Sequence, residues 1–246
     1  MELTIGDDLR TLVPNLALGV ILATVHVSGD TPELSSAISK YINDLQLSMK
    51  LEDLAAIPEI IAARNGYRAI GKDPSRYRPS QEALLRRVMQ GKGLFKINSV
   101  VDVNNLISLR SRHSLGSYDL DQTKGATKFR IGLKGESYKG IGKETINLEG
   151  LPVFADDLGP FGSPTSDSER AMIRLTTTRV MMAIISFAGK DRLHNHITSA
   201  AELLKVYANA TIQETGIIFF QQGETGNACA ASACSGMDPL SSSMEL

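Results

Sequence analysis

Hydrophobic positions along the chain change period three times, and each change marks a structural boundary. The run Leu16–Val27 (LALGVILATVHV) is apolar on nearly every position and rich in β-branched residues, which predicts a strand buried on both faces. From Pro32 to Leu47 the apolar residues Leu34, Ile38, Tyr41, Ile42 and Leu45 recur at helical spacing, and Leu51–Ala69 reads as a second helix. Ser80 opens a third helix, with Gln81 and Glu82 in its first turn, apolar positions Leu84, Leu85, Val88 and Met89, and Gly91 as its stop. The pair Ser99 and Asp102 is spaced as a capping box for a fourth helix. That helix is apolar at Val100, Val101, Val103, Leu106, Ile107 and Leu109, so it should be central. Its polar members Asp102 and Asn105 are expected to bond the backbone of neighbouring strands, since an unpaired buried group costs about 1–3 kcal/mol.

From Thr127 the period becomes two. Phe129, Ile131 and Leu133 alternate with Lys128, Arg130 and Lys134, as in a half-exposed strand. Glycines 135, 140, 142 and 150 then divide short segments in the manner of a β-meander, with Leu151–Ala155 and Arg179–Phe187 as further strands. Asp191 is placed to cap a last helix running to Ala208, with Leu193, Ile197, Ala201, Leu204 and Val206 facing inward. Helices and buried strands come first and antiparallel strands later, which is an α+β class with a mixed, largely antiparallel sheet. Residues 1–222 read as one domain with a motif core over 67–190, and the small polar stretch 223–246 as a flexible tail.

Composition narrows the function classes. The chain has 246 residues, 42% of them hydrophobic and 22% charged, enough to bury a sizeable core, and its net charge of −1 argues against a non-specific polyanion binder. No stretch has the length of a membrane span, and the start MELTIGDDLR lacks the basic and apolar regions of a secretory signal, so a cytoplasmic location without membrane partners is expected. Two cysteines, Cys229 and Cys234, stand in the tail without nearby histidines, so no disulfide framework and no metal site is expected.

Familiar catalytic motifs are missing: no phosphate-binding loop, no dinucleotide fingerprint and no nucleophile elbow. "GKGLFK" at 91–96 reads as a helix stop and turn. His194 and His196 are two apart on a helix and face different ways, and His26 reads as a core histidine. Two features do stand out. Between Arg64 and Lys96 nine basic residues (Arg64, Arg68, Lys72, Arg76, Arg78, Arg86, Arg87, Lys92, Lys96) face two acids, Asp73 and Glu82. Such a local excess is either a solvated face or a patch for phosphates. The second is "ADDLGPFGSPTSDSER", residues 155–170, a long loop whose hydroxyls Ser163, Thr165, Ser166 and Ser168 could cradle a small polar group.

The stretch "RYRPSQEALLRRVMQGKGLFKINSVVDVNNLISLRSRHSLGSYDLD" resembles the editing region of the bacterial phenylalanyl-tRNA synthetase beta subunit, formed by its third and fourth (B3/B4) domains. The carrying motifs are Arg86–Arg87 closing a helix, Ile97–Asn98, Val100–Val103 with Asn105, Tyr118–Asp121, Gly125–Arg130 and Gly135–Glu136, collinear from Tyr67 to Asp157. The N-terminal part and "FGSPTSDSER" look more like stand-alone versions of that domain. Synthetase members carry a histidine just before [FY]-D, where this chain has Leu115-Gly116-Ser117-Tyr118, and "GPFGSPTS" takes the place of a "GG" segment. The resemblance implies an editing-domain-like fold, either the mixed sheet or a partly closed barrel with flanking helices. It also implies a trans-acting hydrolase that deacylates mischarged aminoacyl-tRNA without ATP, metal or other cofactor; the alternative is a non-catalytic module binding RNA or an amino-acid-like ligand. An apolar site rejects an added hydroxyl by only about 10²-fold, which is why a second, hydrolytic site is useful. In that family the site positions water rather than using a protein nucleophile. By motif position Glu136 would read a polar substrate group, and Thr165 and Ser163 of the hydroxyl-rich loop are the candidates for orienting water or the ester. Asn98, Ser117, Tyr118, Gly159, Phe161, Gly162 and Ser166 would border the substrate, and Arg64, Arg68, Arg76, Arg78, Arg86 and Arg87 would hold tRNA.

Overall fold

The computed structural model describes residues 1–29 and 31–220. Two four-stranded sheets and one hairpin carry the strands. In the first sheet, β1 (Leu3–Ile5) pairs in parallel with β4 (Thr127–Ile131), followed antiparallel by β7 (Pro152–Asp156) and β8 (Gly159–Gly162). The second is antiparallel throughout, in the order β10 (Thr211–Phe219), β2 (Ala17–Thr24), β9 (Arg179–Ser186), β3 (Ser114–Asp119). A hairpin of β5 (Ser137–Lys139) and β6 (Thr145–Asn147) stands apart. The helices are α1 (Asp7–Leu12), α2 (Pro32–Ser48), α3 (Pro58–Ala69), α4 (Ser80–Met89), α5 (Ser99–Ser111) and α6 (Leu193–Ala208). The class is mixed α+β with antiparallel pairing dominant. The sheets stay open, so the partly closed barrel is not formed.

The unbroken apolar run of β2 follows from its position. Alternate residues of a strand point to opposite faces. Ala17, Ile21 and Ala23, with Val180, Met182 and Ile184 of β9, meet Val100, Val103, Leu106 and Ile107 of α5 and Leu193, Ile197 and Leu204 of α6. Leu18, Val20 and Leu22, with Met181, Ala183 and Ile185, meet Phe129, Phe154 and Phe161 of the other sheet and Ala63 and Tyr67 of α3. The second sheet is therefore the middle layer, covered by helices on one side and by the first sheet and α3 on the other. A Cβ at Gly66 would overlap the Phe187 ring, so glycine sets how closely α3 lies on this layer.

Several sequence expectations are corrected. The helix over Leu51–Ala69 is split, because Pro58 has no N–H to donate and forces Ile57 into an extended conformation; a 3-10 turn (Glu52–Ala56) precedes α3. The cap of α5 is Asn98, one residue before the expected Ser99: its Oδ1 accepts from Val101 N at 3.0 Å. Asp102 accepts from Ile97 N rather than from a strand, and it is Asn104, not the partly exposed Asn105, that accepts a strand hydroxyl. Asp191 caps nothing; α6 starts from Arg192 in a left-handed conformation with no side-chain cap. Val206 and Leu133 are exposed, the latter because β4 ends at Ile131, and His26 is exposed rather than part of the core. The turn expected at 115–121 is mostly strand β3, and part of the long loop is strand β8. Cys229, Cys234 and the tail lie outside the described residues. No helix among the described residues is long and apolar enough to cross a membrane.

Candidate functional site

Beyond β8 the chain folds back on itself around Ser163. Its Oγ donates to Ser166 O at 2.6 Å and accepts from the backbone N–H groups of Thr165 and Ser166, at 3.3 and 3.0 Å. This hydroxyl-centred turn satisfies the local backbone at a place where no ladder partner is available. Three tyrosines from three separate elements then fix the loop. Tyr67 of α3 shares a 2.7 Å hydrogen bond with the Thr165 hydroxyl. Tyr118 of β3 donates to Asp167 Oδ1 at 2.9 Å. Tyr138 of β5 donates to Ser166 O and lies 3.3 Å from Ser163 Oγ. Asp167 Oδ1 also accepts from Ser163 N at 3.2 Å. Burial raises the Asp167 carboxyl to about 6, against the opposing pull of the Tyr118 hydrogen bond. Burial likewise drives the Tyr67 and Tyr138 phenols well above their ordinary range, so both remain protonated.

Strand alternation decides which predicted residues share this site. In β3, Tyr118 points to the face shared with the first sheet, and its neighbour Ser117 points the other way, donating to Asn104 Oδ1 of α5 at 2.9 Å. Asn98 is also spent on α5, as its cap and as a donor to Ile173 O at 3.4 Å. Neither Ser117 nor Asn98 is therefore brought to the loop. Phe161 and Tyr118 are fully buried and meet edge-to-face at 5.0 Å in the aromatic core, and the Tyr118 ring fills the space beside Gly162. Gly159 turns the chain with a φ of 105° and offers its carbonyl to Arg170. Glu136 is held away from the hydroxyls: Arg130 grips it with two hydrogen bonds of 2.8 and 2.7 Å, and Leu133 N adds a third at 2.6 Å. The guanidinium keeps its carboxyl below the usual range. Two residues further on, Tyr138 is the side chain that reaches the loop.

The basic stretch approaches the same loop. Glu82, 1% exposed, accepts two hydrogen bonds from Arg64 (2.8 and 2.7 Å) and one from Arg86 (2.8 Å), with Arg78 at 3.7 Å. Burial alone would raise this carboxyl, but the Arg64 and Arg86 hydrogen bonds outweigh it and hold it below the usual range. The cluster is tied to the loop twice. Arg64 and Tyr67 lie three residues apart on one face of α3, and Ser80 N, at the start of α4, donates to Pro164 O at 2.7 Å. The Ser80 and Ser168 hydroxyls nearby are buried without a partner among the described residues. The other predicted arginines lie apart from Glu82. Arg68 bonds Asn65, Arg76 and Lys72 each sit 5.4 Å from the Tyr77 ring, and Arg87 bonds Gly93 O and lies 4.0 Å from the Phe95 ring.

Residues 62–215 match a family model described as the B3/4 domain, which is more than half of the chain. The chain belongs to the B3/4 domain family. The matched stretch runs from α3 into β10 and so contains both the Glu82 cluster and the 163–168 loop of this B3/4 domain. A structural comparison finds an N-terminal fragment of the phenylalanyl-tRNA synthetase beta subunit from Pyrococcus horikoshii, 12% identical, with a TM-score of 0.44, covering 86% of this chain. The chain spans 50% of that fragment. No curated protein matches it in sequence.

Tyr138, Asp167 and Tyr67 are site residues that sequence reasoning missed. Tyr67 could have been found, because it follows Ile60 and Ala63 on the buried stripe of α3 and is the one member of that stripe with a polar tip. For Asp167 the only trace was its place at the end of a hydroxyl-rich run.

Proposed function

We propose that this B3/4 domain is an editing-type hydrolase that deacylates mischarged aminoacyl-tRNA. In this scheme tRNA phosphate lies across the Arg64–Arg78–Arg86 cluster and the ester lies at Thr165. What supports it is the adjacency of these two parts: a net-positive arginine cluster joined through Tyr67 and Ser80 to a loop of positioned hydroxyls. Ester hydrolysis needs a water held at the carbonyl and a donor for the developing oxyanion. Tyr67, kept protonated by burial, can donate to Thr165, and in that arrangement the Thr165 proton is available to a substrate. Thr165 is the partly exposed member of the pair, so it is the one a ligand can reach. Among the described residues none of the loop hydroxyls bonds a histidine or a carboxylate, which supports chemistry by oriented water rather than by a protein nucleophile.

The test is deacylation of purified mischarged tRNAs, Tyr-tRNA(Phe) first, without ATP and with chelator. Thr165→Ala should lose about 10²–10³ in rate, the usual effect of removing one oxyanion donor. Three phosphate contacts should give tRNA binding a log–log salt slope of about −2 to −3, reduced by roughly one in Arg64→Ala. Rates equal to spontaneous hydrolysis across a panel would refute the hydrolase. A second reading, a non-catalytic module for RNA or an amino-acid-like ligand, is favoured by Glu136, whose carboxylate is already occupied by Arg130 and Leu133 N. Salt-sensitive tRNA binding without deacylation would support it.

A further inference from the structure

A second site, unrelated to the hydroxyl loop, lies between α2 and residues 92–97. There a cleft of about 210 Å³ is lined by Ser35, Ile38, Ser39, Ile42 and Asn43 of α2, by Gly93–Lys96 and by Asp102. The hydroxyl loop bonds α3, α4, β3 and β5 and, among the described residues, shares no hydrogen bond with this lining. Asp102 is 8% exposed, yet among the described residues its carboxylate faces no cation within ion-pair distance and accepts a single hydrogen bond, from Ile97 N to Oδ1. Lys96, on the rim, also has no ion pair among the described residues, although it lies close enough for its charge to act on Asp102. An enclosed carboxylate and a free ammonium thus border one cleft without meeting. The apolar part of the lining comes from Ile38, Ile42, Leu94 and the 67% exposed Phe95, beside the polar Ser35, Ser39 and Asn43. That ring is not loose: Arg87 lies 4.0 Å from it, and its guanidinium is anchored on Gly93 O at 2.8 Å.

We propose that this cleft binds a free α-amino acid with an apolar side chain. The ligand's ammonium would meet the open oxygen of Asp102, its carboxylate would meet Lys96, and its side chain would lie on Ile38, Ile42, Leu94 and Phe95. A buried carboxylate without a cation is costly, so a cationic ligand gains by replacing the missing partner. The volume lies below the roughly 300–1,000 Å³ of sites for drug-sized ligands, which matches a single amino acid. The inference does not depend on hydrolysis at Thr165.

Isothermal titration of the full chain tests it with L-leucine, isoamylamine, which lacks the carboxylate, and 4-methylpentanoate, which lacks the amine. L-leucine should bind, and loss of either charged end should weaken binding about tenfold or more, as for loss of a charge-assisted hydrogen bond. Asp102→Asn keeps the oxygen that Ile97 N needs and should abolish the advantage of L-leucine over 4-methylpentanoate. Lys96→Met, at an exposed position, should abolish its advantage over isoamylamine. No heat from L-leucine or L-phenylalanine up to about 10 mM overturns the proposal, since weaker binding carries under roughly 3 kcal/mol. Binding untouched by both substitutions, or lost in Thr165→Ala, overturns it equally.

Discussion

Replacing Glu82 by glutamine removes one charge and almost no volume, so it isolates what the carboxylate does. Three charge-assisted hydrogen bonds end on it, two from Arg64 and one from Arg86. Hydrogen bonds to charged groups net about 1.5–3 kcal/mol each when buried. The guanidiniums here are 24% to 41% exposed, and water takes over part of their solvation. The glutamine oxygen also keeps one acceptor, while its NH2 turns a donor toward other donors. The expected cost is therefore about 3 kcal/mol, at the lower edge of the 3–5 kcal/mol for removing one partner of a buried pair. For a chain of this size that is a fall in melting temperature of about 6–12 °C by calorimetry. The loss should be largest above pH about 4.3, where an unfolded glutamate is ionised. It should shrink as pH drops through the lower folded value, because protonation then does to Glu82 what the substitution does. A shift below about 2 °C at pH 7 would mean that the three arginines hold their places without Glu82, and the cluster would no longer count as an organised unit.

Asp167→Asn should stabilise the protein at pH 7. The folded value of about 6 lies above the unfolded 3.9, so this carboxyl contributes most below pH about 4 and its contribution is lost as pH rises to about 6. The asparagine oxygen can still accept from Tyr118 and Ser163, and the gain, up to about 3 kcal/mol, should vanish near pH 4 in urea titrations; a destabilised variant at pH 7 contradicts the burial argument. Gly162→Ala should cost about 1–3 kcal/mol in chemical denaturation because its Cβ would overlap the Tyr118 ring, and a neutral outcome would mean that ring is free to move.

The layers were legible where side-chain periodicity and burial coincide. β2, β9, α2 and α5 each carry a long apolar pattern; β9 and α2 lie within a residue of their expected bounds, α5 starts at Ser99, the residue expected to cap it, and β2 stops three residues short of Val27, at Thr24. The elements missed have weak patterns for physical reasons. β10 is an edge strand half open to water, β1 is three residues long, and β3 carries serine and glycine on a strand whose inner face must admit the Tyr118 ring. The hydroxyl loop was visible as composition and Tyr118 as part of a motif, but Tyr67 and Tyr138 were not visible as its anchors. Tyr67, Tyr118 and Tyr138 each look like ordinary apolar members of their own elements, and only the tertiary fold turns their polar ends to one place. The same holds for Glu82. Local sequence gives it a helix-start role, whereas its burial against Arg64 depends on how α3 and α4 pack.

The three tyrosines also bear on the order in which the molecule is made. Their hydrogen bonds to the 163–167 loop span 98, 49 and 25 residues. Contacts of such separation form late, because the chain entropy of closing them is spent before they return anything. All three tyrosines precede the loop, so during synthesis they emerge first and wait. The loop follows them, but so does β9, the strand that holds β3 in its sheet, so Tyr118 meets Asp167 in its final geometry only after residues 179–186 have emerged as well. A chain stalled before residue 160 would hold every anchor and nothing to anchor.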